Sequence, residues 1–272
     1  MTSLILTFVV AVNDQDIVEK NLLASPCLNS GFAHQLIVQR GFDSAATAYN
    51  SGLDQSRNEI VVFVHQDVFL PEDWVSSLAA AIGALGGRDP HWGVMGCWGV
   101  RQDRTKFGHL YTPGDGVIGE PMWLPERVQT LDEVVLIVRK SSGLRFDERL
   151  PGFHFYGTDL CLTAAQRGMN CYAISAFCVH NSRQYFEYPT DFSQSYRKLK
   201  RKWKRHLPIQ TSCIRVSRFD WDLQKRWIKR MIARAMGRPP QRGPRLEDPR
   251  LIFRGTARPF TSVNSSCLKF KP

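Results

Sequence analysis

The 272-residue chain has no run of eighteen apolar residues, which excludes a membrane-spanning helix. Its seven cysteines are odd in number and show no CxxC spacing, so neither a disulfide framework nor a zinc site is expected. This cysteine usage fits a reducing compartment and a cytoplasmic location, peripheral on the inner membrane face if the basic tail described below binds lipid. Met1 to Val12 is apolar but lacks a basic leader and a small-residue cleavage site, and reads as a first core strand. No internal repeat occurs. Acidic residues are scarce in one region only: residues 197–272 carry 22 Lys+Arg against 4 Asp+Glu, whereas residues 1–196 carry 14 against 21. The net charge of +11 therefore combines an acidic body with a strongly basic tail.

What is present is a core-forming chain, 43% hydrophobic. Leu4 to Val12 reads as a strand, Asp16 to Ala24 as a short helix and Gln35 to Gln39 as a second strand. Asp43 is expected to cap a helix carrying Ala45, Ala48, Tyr49 and Leu53. Ile60 to Val64 are five consecutive apolar residues, four of them β-branched, as in a strand buried on both faces. Pro71 to Leu85 reads as a helix. This β-α-β-α-β-α order implies a parallel sheet flanked by helices. Further strands are expected over 94–100, 130–138 and 171–179, a loop over 109–125, and a helix over 158–167.

The third strand ends in His65-Gln66-Asp67. Side chains alternate along a strand, so His65 and Asp67 point the same way, outside the carboxyl edge where open α/β sheets bind ligands. One nitrogen and one oxygen donor suit Mn²⁺, or Mg²⁺ through Asp67 alone.

Beyond Pro189 the pattern changes. Phe192, Tyr196, Leu199 and Trp203 fall on one helix face, with Arg197, Lys198, Arg201, Lys202 and Arg205 on the other. A second helix from Leu223 carries Trp227, Ile228, Met231 and Ile232 on its apolar face. Such helices either lie on an anionic membrane surface, through residues 197–236, or pack on the body. Nucleic acid is the weaker alternative, because no nucleic-acid motif accompanies the charge. Three regions result: residues 1–188 as the main domain, 189–236 as a basic amphipathic helical appendage, and 237–272 as a poorly ordered basic tail.

Four stretches, in order, carry a family resemblance: Ala11-Val12-Asn13-Asp14; Ala48-Tyr49-Asn50; Phe63-Val64-His65-Gln66-Asp67; and Gly143 to Glu148 followed by Tyr156-Gly157-Thr158-Asp159 and a late His180. The set resembles the inverting family 2 glycosyltransferases of the GT-A fold, and is most similar to the subgroup named after a streptomycin-biosynthesis protein. The resemblance implies a Rossmann-like, mixed but mostly parallel sheet. It also implies transfer of a sugar from a nucleotide-sugar donor, with inversion, to a glycan, small-molecule or lipid-linked acceptor. On this pattern Asp159 is the catalytic base. Ala11, Val12, Asn13, Arg40, Asn50 and Gln66 would meet the donor, and Asp67, His65 and His180 the Mn²⁺ or Mg²⁺. Trp123, His154 and Tyr156 are acceptor candidates. The chain departs from the pattern at His65 (usually Asp), at Gln39-Arg40-Gly41 (where an Asp holds the base), at Val12 (often aromatic) and at Thr158 (usually Glu). These departures keep open a GT-A body that binds nucleotide or glycan without catalysis, and a nucleotidyltransferase is the nearest competing enzyme class because it uses a similar crevice and metal. Against the latter, no Gly-rich phosphate loop follows the first strand.

Overall fold

The computed structural model describes residues 4–29, 33–183, 190–237 and 244–252. Its centre is a seven-stranded mixed sheet. The first three strands, β1 (Leu6–Val12), β2 (Gln35–Arg40) and β3 (Ile60–His65), run parallel, with β1 between the other two. Two helices link them: α1 (Gln15–Lys20), capped by Asp14 accepting from the Ile17 amide, and α2 (Ala45–Gln55). Ser44, not the expected Asp43, caps α2, since its Oγ accepts from the Thr47 amide. α2 lies close on β1 because residue 52 is glycine; a Cβ there would sit 2.2 Å from Val9 Cγ1.

After β3 comes the two-residue β4 (Val68–Phe69), then α3 (Trp74–Gly86). The 94–100 stretch is two strands, β5 (Val94–Gly96) and β6 (Trp98–Val100), which belong to different sheets. The expected loop at 109–125 is in part a hairpin of β7 (Lys106–Thr112) and β8 (Gly116–Gly119). Its buried Leu110 alternates with half-exposed neighbours, a two-residue period masked in the sequence by glycines. β9 (Glu126–Val128) and β10 (Thr130–Leu131) precede β11 (Val135–Arg139). The expected strand over 130–138 is thus also divided. β11 inserts antiparallel between β3 and β5, where its run Val-Leu-Ile-Val is buried on both faces.

α4 (Tyr156–Gln166) leads to β12 (Cys171–Ala173) and β13 (Cys178–His180). The main sheet has the order β2-β1-β3-β11-β5-β12-β9, in which only β11 and β9 run against the rest. In a second sheet, β10-β6-β7-β13-β4, β8 pairs with the central β7. The mixed α/β architecture flanked by helices is the one expected. The reversal at β11 is what the sequence pattern does not reveal, because a strand buried on both faces reads the same in either direction.

α5 (Thr190–Lys202) packs into the main core: Phe192, Tyr196, Leu199 and Trp203 are buried with residues of α2 and α4. Burying each such side chain contributes about 1.5–3 kcal/mol. Charge and packing therefore divide the chain at different places, and no gap in the core falls at residue 189. A small hairpin, β14 (Ile209–Gln210) with β15 (Arg215–Val216), follows. α6 (Trp221–Ala235) is different: Trp227, Ile228, Met231 and Ile232 are half-exposed or more. Most of the expected 237–272 tail lies outside the described residues. No described helix is long and apolar enough to cross a membrane, and no disulfide joins any two of the six described cysteines.

Candidate functional site

The carboxyl ends of β1, β2 and β3 bring the sequence-nominated residues to one edge. Ala11 pairs in register with His65, and Val12 with Arg40. Asn13 is joined to Gln66: Gln66 Oε1 accepts from the Asn13 and Asp14 amides at 3.1 and 3.2 Å, and Gln66 Nε2 donates to Asn13 Oδ1 at 2.5 Å. Arg40 donates to the Gln15 side chain.

β13 brings His180 to the same edge. It pairs antiparallel with β4, His180 opposite Val68, so the imidazole stands beside Asp67. His180 Nε2 is 3.5 Å from Asp67 Oδ1, the His65 and His180 rings meet edge-on at 5.6 Å, and the Asn181 amide donates to the Asp67 carbonyl. One donor atom from each of His65, Asp67 and His180 lies within 4.8 Å of the others. Ligands bound at 2.0–2.2 Å to one ion stand somewhat closer than this, so modest side-chain adjustment closes the set.

The charges of the three residues are linked. Burial alone would push the Asp67 carboxyl up, but His180, His65 and Arg245 hold it well below the usual carboxylate range. Burial, reinforced by His180, lowers His65 to about 4. Burial also opposes the charge on His180, yet Asp67 raises it above the ordinary histidine value. Tyr156, first residue of α4, braces His65: its hydroxyl is 2.7 Å from Nε2 and donates to the Glu133 carbonyl at 3.3 Å. With the phenol proton on that carbonyl, Nε2 carries the imidazole hydrogen and Nδ1 keeps its lone pair.

Other nominated residues are placed elsewhere. Asn50 is buried, and its amide is engaged by the Phe146 backbone and by Glu148, 2.8 Å away. It ties α2 to the 146–148 turn and has no spare donor for a ligand. Asp159 is 2% exposed. Lys202 Nζ lies 2.7 and 2.8 Å from its two oxygens, and Trp203 Nε1 donates to Oδ1 at 2.7 Å. Burial raises its carboxyl, against the pull of Lys202 and Trp203. α5 thus closes over the residue expected to be the base. His154 sits 3.8 Å from the Asp191 carboxylate and against the Phe192 ring. Trp123 is 79% exposed in the segment between β8 and β9.

Two residues not singled out in the sequence belong to this region. Glu133 Oε1 accepts from the Gly157 amide at 3.3 Å, in the first turn of α4, which has no side-chain cap of its own. A side chain at 157 would crowd Glu133, its Cβ 3.0 Å from Cγ. Burial and the neighbouring Asp132 raise the Glu133 carboxyl well above the usual range, while the Gly157 and Phe155 amides oppose this. The Asp132-Glu133 pair directly before the apolar run of β11 was the available signal. The other is Arg245, whose Nη2 lies 3.4 Å from Asp67 Oδ2.

A mixed α/β sheet with a His-Asp-His cluster beside a β1 loop braced by Gln66 is a frame for binding a charged ligand at the sheet edge. The sequence model of a family described as "Glycosyltransferase like family" matches residues 7–202, and the chain belongs to that family. A Fuscovulum blasticum protein, described as "ATP synthase subunits region ORF 6", is 31% identical over 163 residues, 57% of this chain and 64% of its own length. Among solved structures, S. aureus TarS 1-349 with UDP-GlcNAc covers 73% of this chain and 66% of its own, at 12% identity and a TM-score of 0.47. The mannosyltransferase PcManGT from Pyrobaculum calidifontis, with GDP-Man and Mn²⁺, covers 85% and 75%, at 14% identity and a TM-score of 0.47. The chain spans less than two thirds of the curated relative and of the S. aureus chain. The structural overlaps add no weight to the family assignment.

Proposed function

We propose that this chain transfers a sugar from a nucleotide-sugar donor to an acceptor hydroxyl in one displacement, inverting the anomeric centre. The observation that carries this reading, given the family, is the convergence of His65, Asp67 and His180 at the carboxyl edge of β3. Asp67 and the two imidazoles would hold a divalent cation, the two nitrogen donors suiting Mn²⁺ better than Mg²⁺. Such an ion supplies charge neutralisation and Lewis acidity to a departing diphosphate. The Ala11–Asn13 end of β1, braced by Gln66, is the surface for the nucleotide, with Arg40 at its rim. Within the family, the order of the motifs supports a likeness to the subgroup named after a streptomycin-biosynthesis protein.

The proton of the attacking hydroxyl needs a carboxylate within hydrogen-bond reach. Asp159 was expected in that role, but Lys202 engages both its oxygens and Trp203 donates to Oδ1. Glu133 is the better supported base. It is recessed but not sealed, borders Tyr156 and Gly157, and its raised carboxyl is a strong proton acceptor once ionised. His154 and Tyr156, at the entry to α4, and the exposed Trp123 are the acceptor contacts we propose.

α6 supports a peripheral place on the inner face of the membrane. Its half-exposed Trp227, Ile228, Met231 and Ile232 are accompanied by Lys225 and Lys229. Beside it, Arg197, Arg201, Arg205, Arg215 and Arg218 help line a cavity of about 1190 Å³. A lipid-linked acceptor would profit from that location.

A panel of UDP- and GDP-sugars, incubated with Mn²⁺ and then with EDTA, tests the reading through donor hydrolysis. Metal-dependent release of the diphosphate is expected, together with its loss in Asp67→Ala. Tight binding of a nucleotide sugar without any release would favour the non-catalytic alternative, which the closed state of Asp159 and the His at 65 support.

A further inference from the structure

We infer that Arg245, carried by the segment 244–252, is a diphosphate-binding residue of the same site; this rests on the sugar-transfer reading for its ligand. The segment is anchored one residue from the candidate cation ligands. Asn181 follows His180 at the end of β13 and is 2% exposed. Its side-chain amide takes a hydrogen bond from the Leu246 amide at 2.7 Å and donates to the Leu246 carbonyl at 3.0 Å. The same Nδ2 donates to Asn21 Oδ1 at 2.9 Å, which ties in the end of α1. Asn181 thus mimics a β partner for residue 246 and fixes where residue 245 stands.

The guanidinium so positioned is poorly used. Nη2 reaches Asp67 Oδ2 only at 3.4 Å, and Nε is buried without a hydrogen-bond partner. The side chain is 20% exposed. Asp67 already has His180 at its other oxygen. Arginine presents five donors in a rigid fork that matches a phosphate better than it matches one distant carboxylate oxygen. A guanidinium with donors to spare, beside a cation cluster at a sheet's carboxyl edge, completes a receptor for a diphosphate: metal on one side, fork on the other. A plain surface ion pair would leave neither a buried Nε nor a buried amide clamp holding its neighbour.

Calorimetry on the full chain with Mn²⁺ tests this, using UDP, GDP, UMP, GMP and inorganic pyrophosphate as probes. For Arg245→Ala, the diphosphates and pyrophosphate should bind at least tenfold more weakly, and the monophosphates should change by less than threefold. Arg245→Lys should recover part of the loss, and Asn181→Ala should reproduce it. Equal weakening of mono- and diphosphates, or no change, overturns the inference. So does tighter Mn²⁺ binding with unchanged diphosphate affinity, which would make Arg245 a mere occupant of the cation position. Binding of pyrophosphate but of no nucleotide, with the same loss in Arg245→Ala, would sustain the inference while removing the nucleotide-sugar reading. Absence of binding by every probe overturns both. Circular dichroism on each variant separates loss of binding from loss of fold.

Discussion

Two clusters of carboxylates and basic groups sit at opposite ends of the Tyr156 to Asp159 turn, and their electrostatics differ in kind. At the sheet edge, Asp67 faces His180, His65 and Arg245 at 3.4 Å or more, with polar atoms left over. Under α5, Asp159 and Asp147 share Lys202, at 2.7 and 2.9 Å, and Trp203 completes the set. The second cluster is satisfied from within the protein. The first keeps longer contacts and a buried Arg245 Nε without a hydrogen-bond partner. A buried carboxylate marks a site when its partners are incomplete, and marks a structural joint when they are complete.

The sharpest way to break this contrast is to exchange the consequences of the two aspartates. Asp67→Ala should reduce donor turnover by about 100-fold or more in protein that still shows a cooperative urea transition. Next in size, Glu133→Gln should lower kcat by roughly 10²–10⁴-fold with KM little altered, the range for removing a general base. Asp159→Ala should instead cost about 1–3 kcal/mol of stability, read by urea unfolding, because it removes the acceptor for Trp203 Nε1. A well-folded Asp159→Asn with no turnover would show that the closed cluster opens during the reaction. Lys202→Met should be destabilising by about 1–2 kcal/mol, since Asp159 would remain buried with one donor only.

The smallest effect concerns pH. Folded His65 titrates at about 4, whereas in the unfolded chain it takes up a proton near 6.5. Protons therefore favour the unfolded state, and this contribution to stability, present above about pH 6.5, is lost as pH falls toward 4. His180 acts oppositely: its raised pKa gives a contribution present below about 6.5 and lost as pH rises through its folded value. Urea midpoints of metal-free protein at pH 7.5, 6 and 5 should show a shallower acid-side decline in His65→Asn than in the parent.

Much of the sheet edge was legible in one dimension. The i, i+2 spacing at the end of a buried strand, the polar turn after β1 and a late histidine after another apolar run are local signals. The β11 reversal was not legible, because burial on both faces removes the alternation that marks direction. Nor was the closed state of Asp159, which depends on Lys202 and Trp203 some forty residues later in the chain. Composition assigned those residues to an appendage, although the apolar face of their helix belongs to the core. Glu133 and Arg245 escaped notice for a related reason. Neither forms a motif with its neighbours in sequence, and each gains meaning only from the atoms set against it.

The sequence by itself determined the first three strands, the donor atoms at the end of β3 and the charge asymmetry, since these follow from side-chain type and short-range periodicity. Only the tertiary structure decided which carboxylates are neutralised and which stay reactive. That is set by the distance to charges contributed by remote segments, and packing alone fixes those distances.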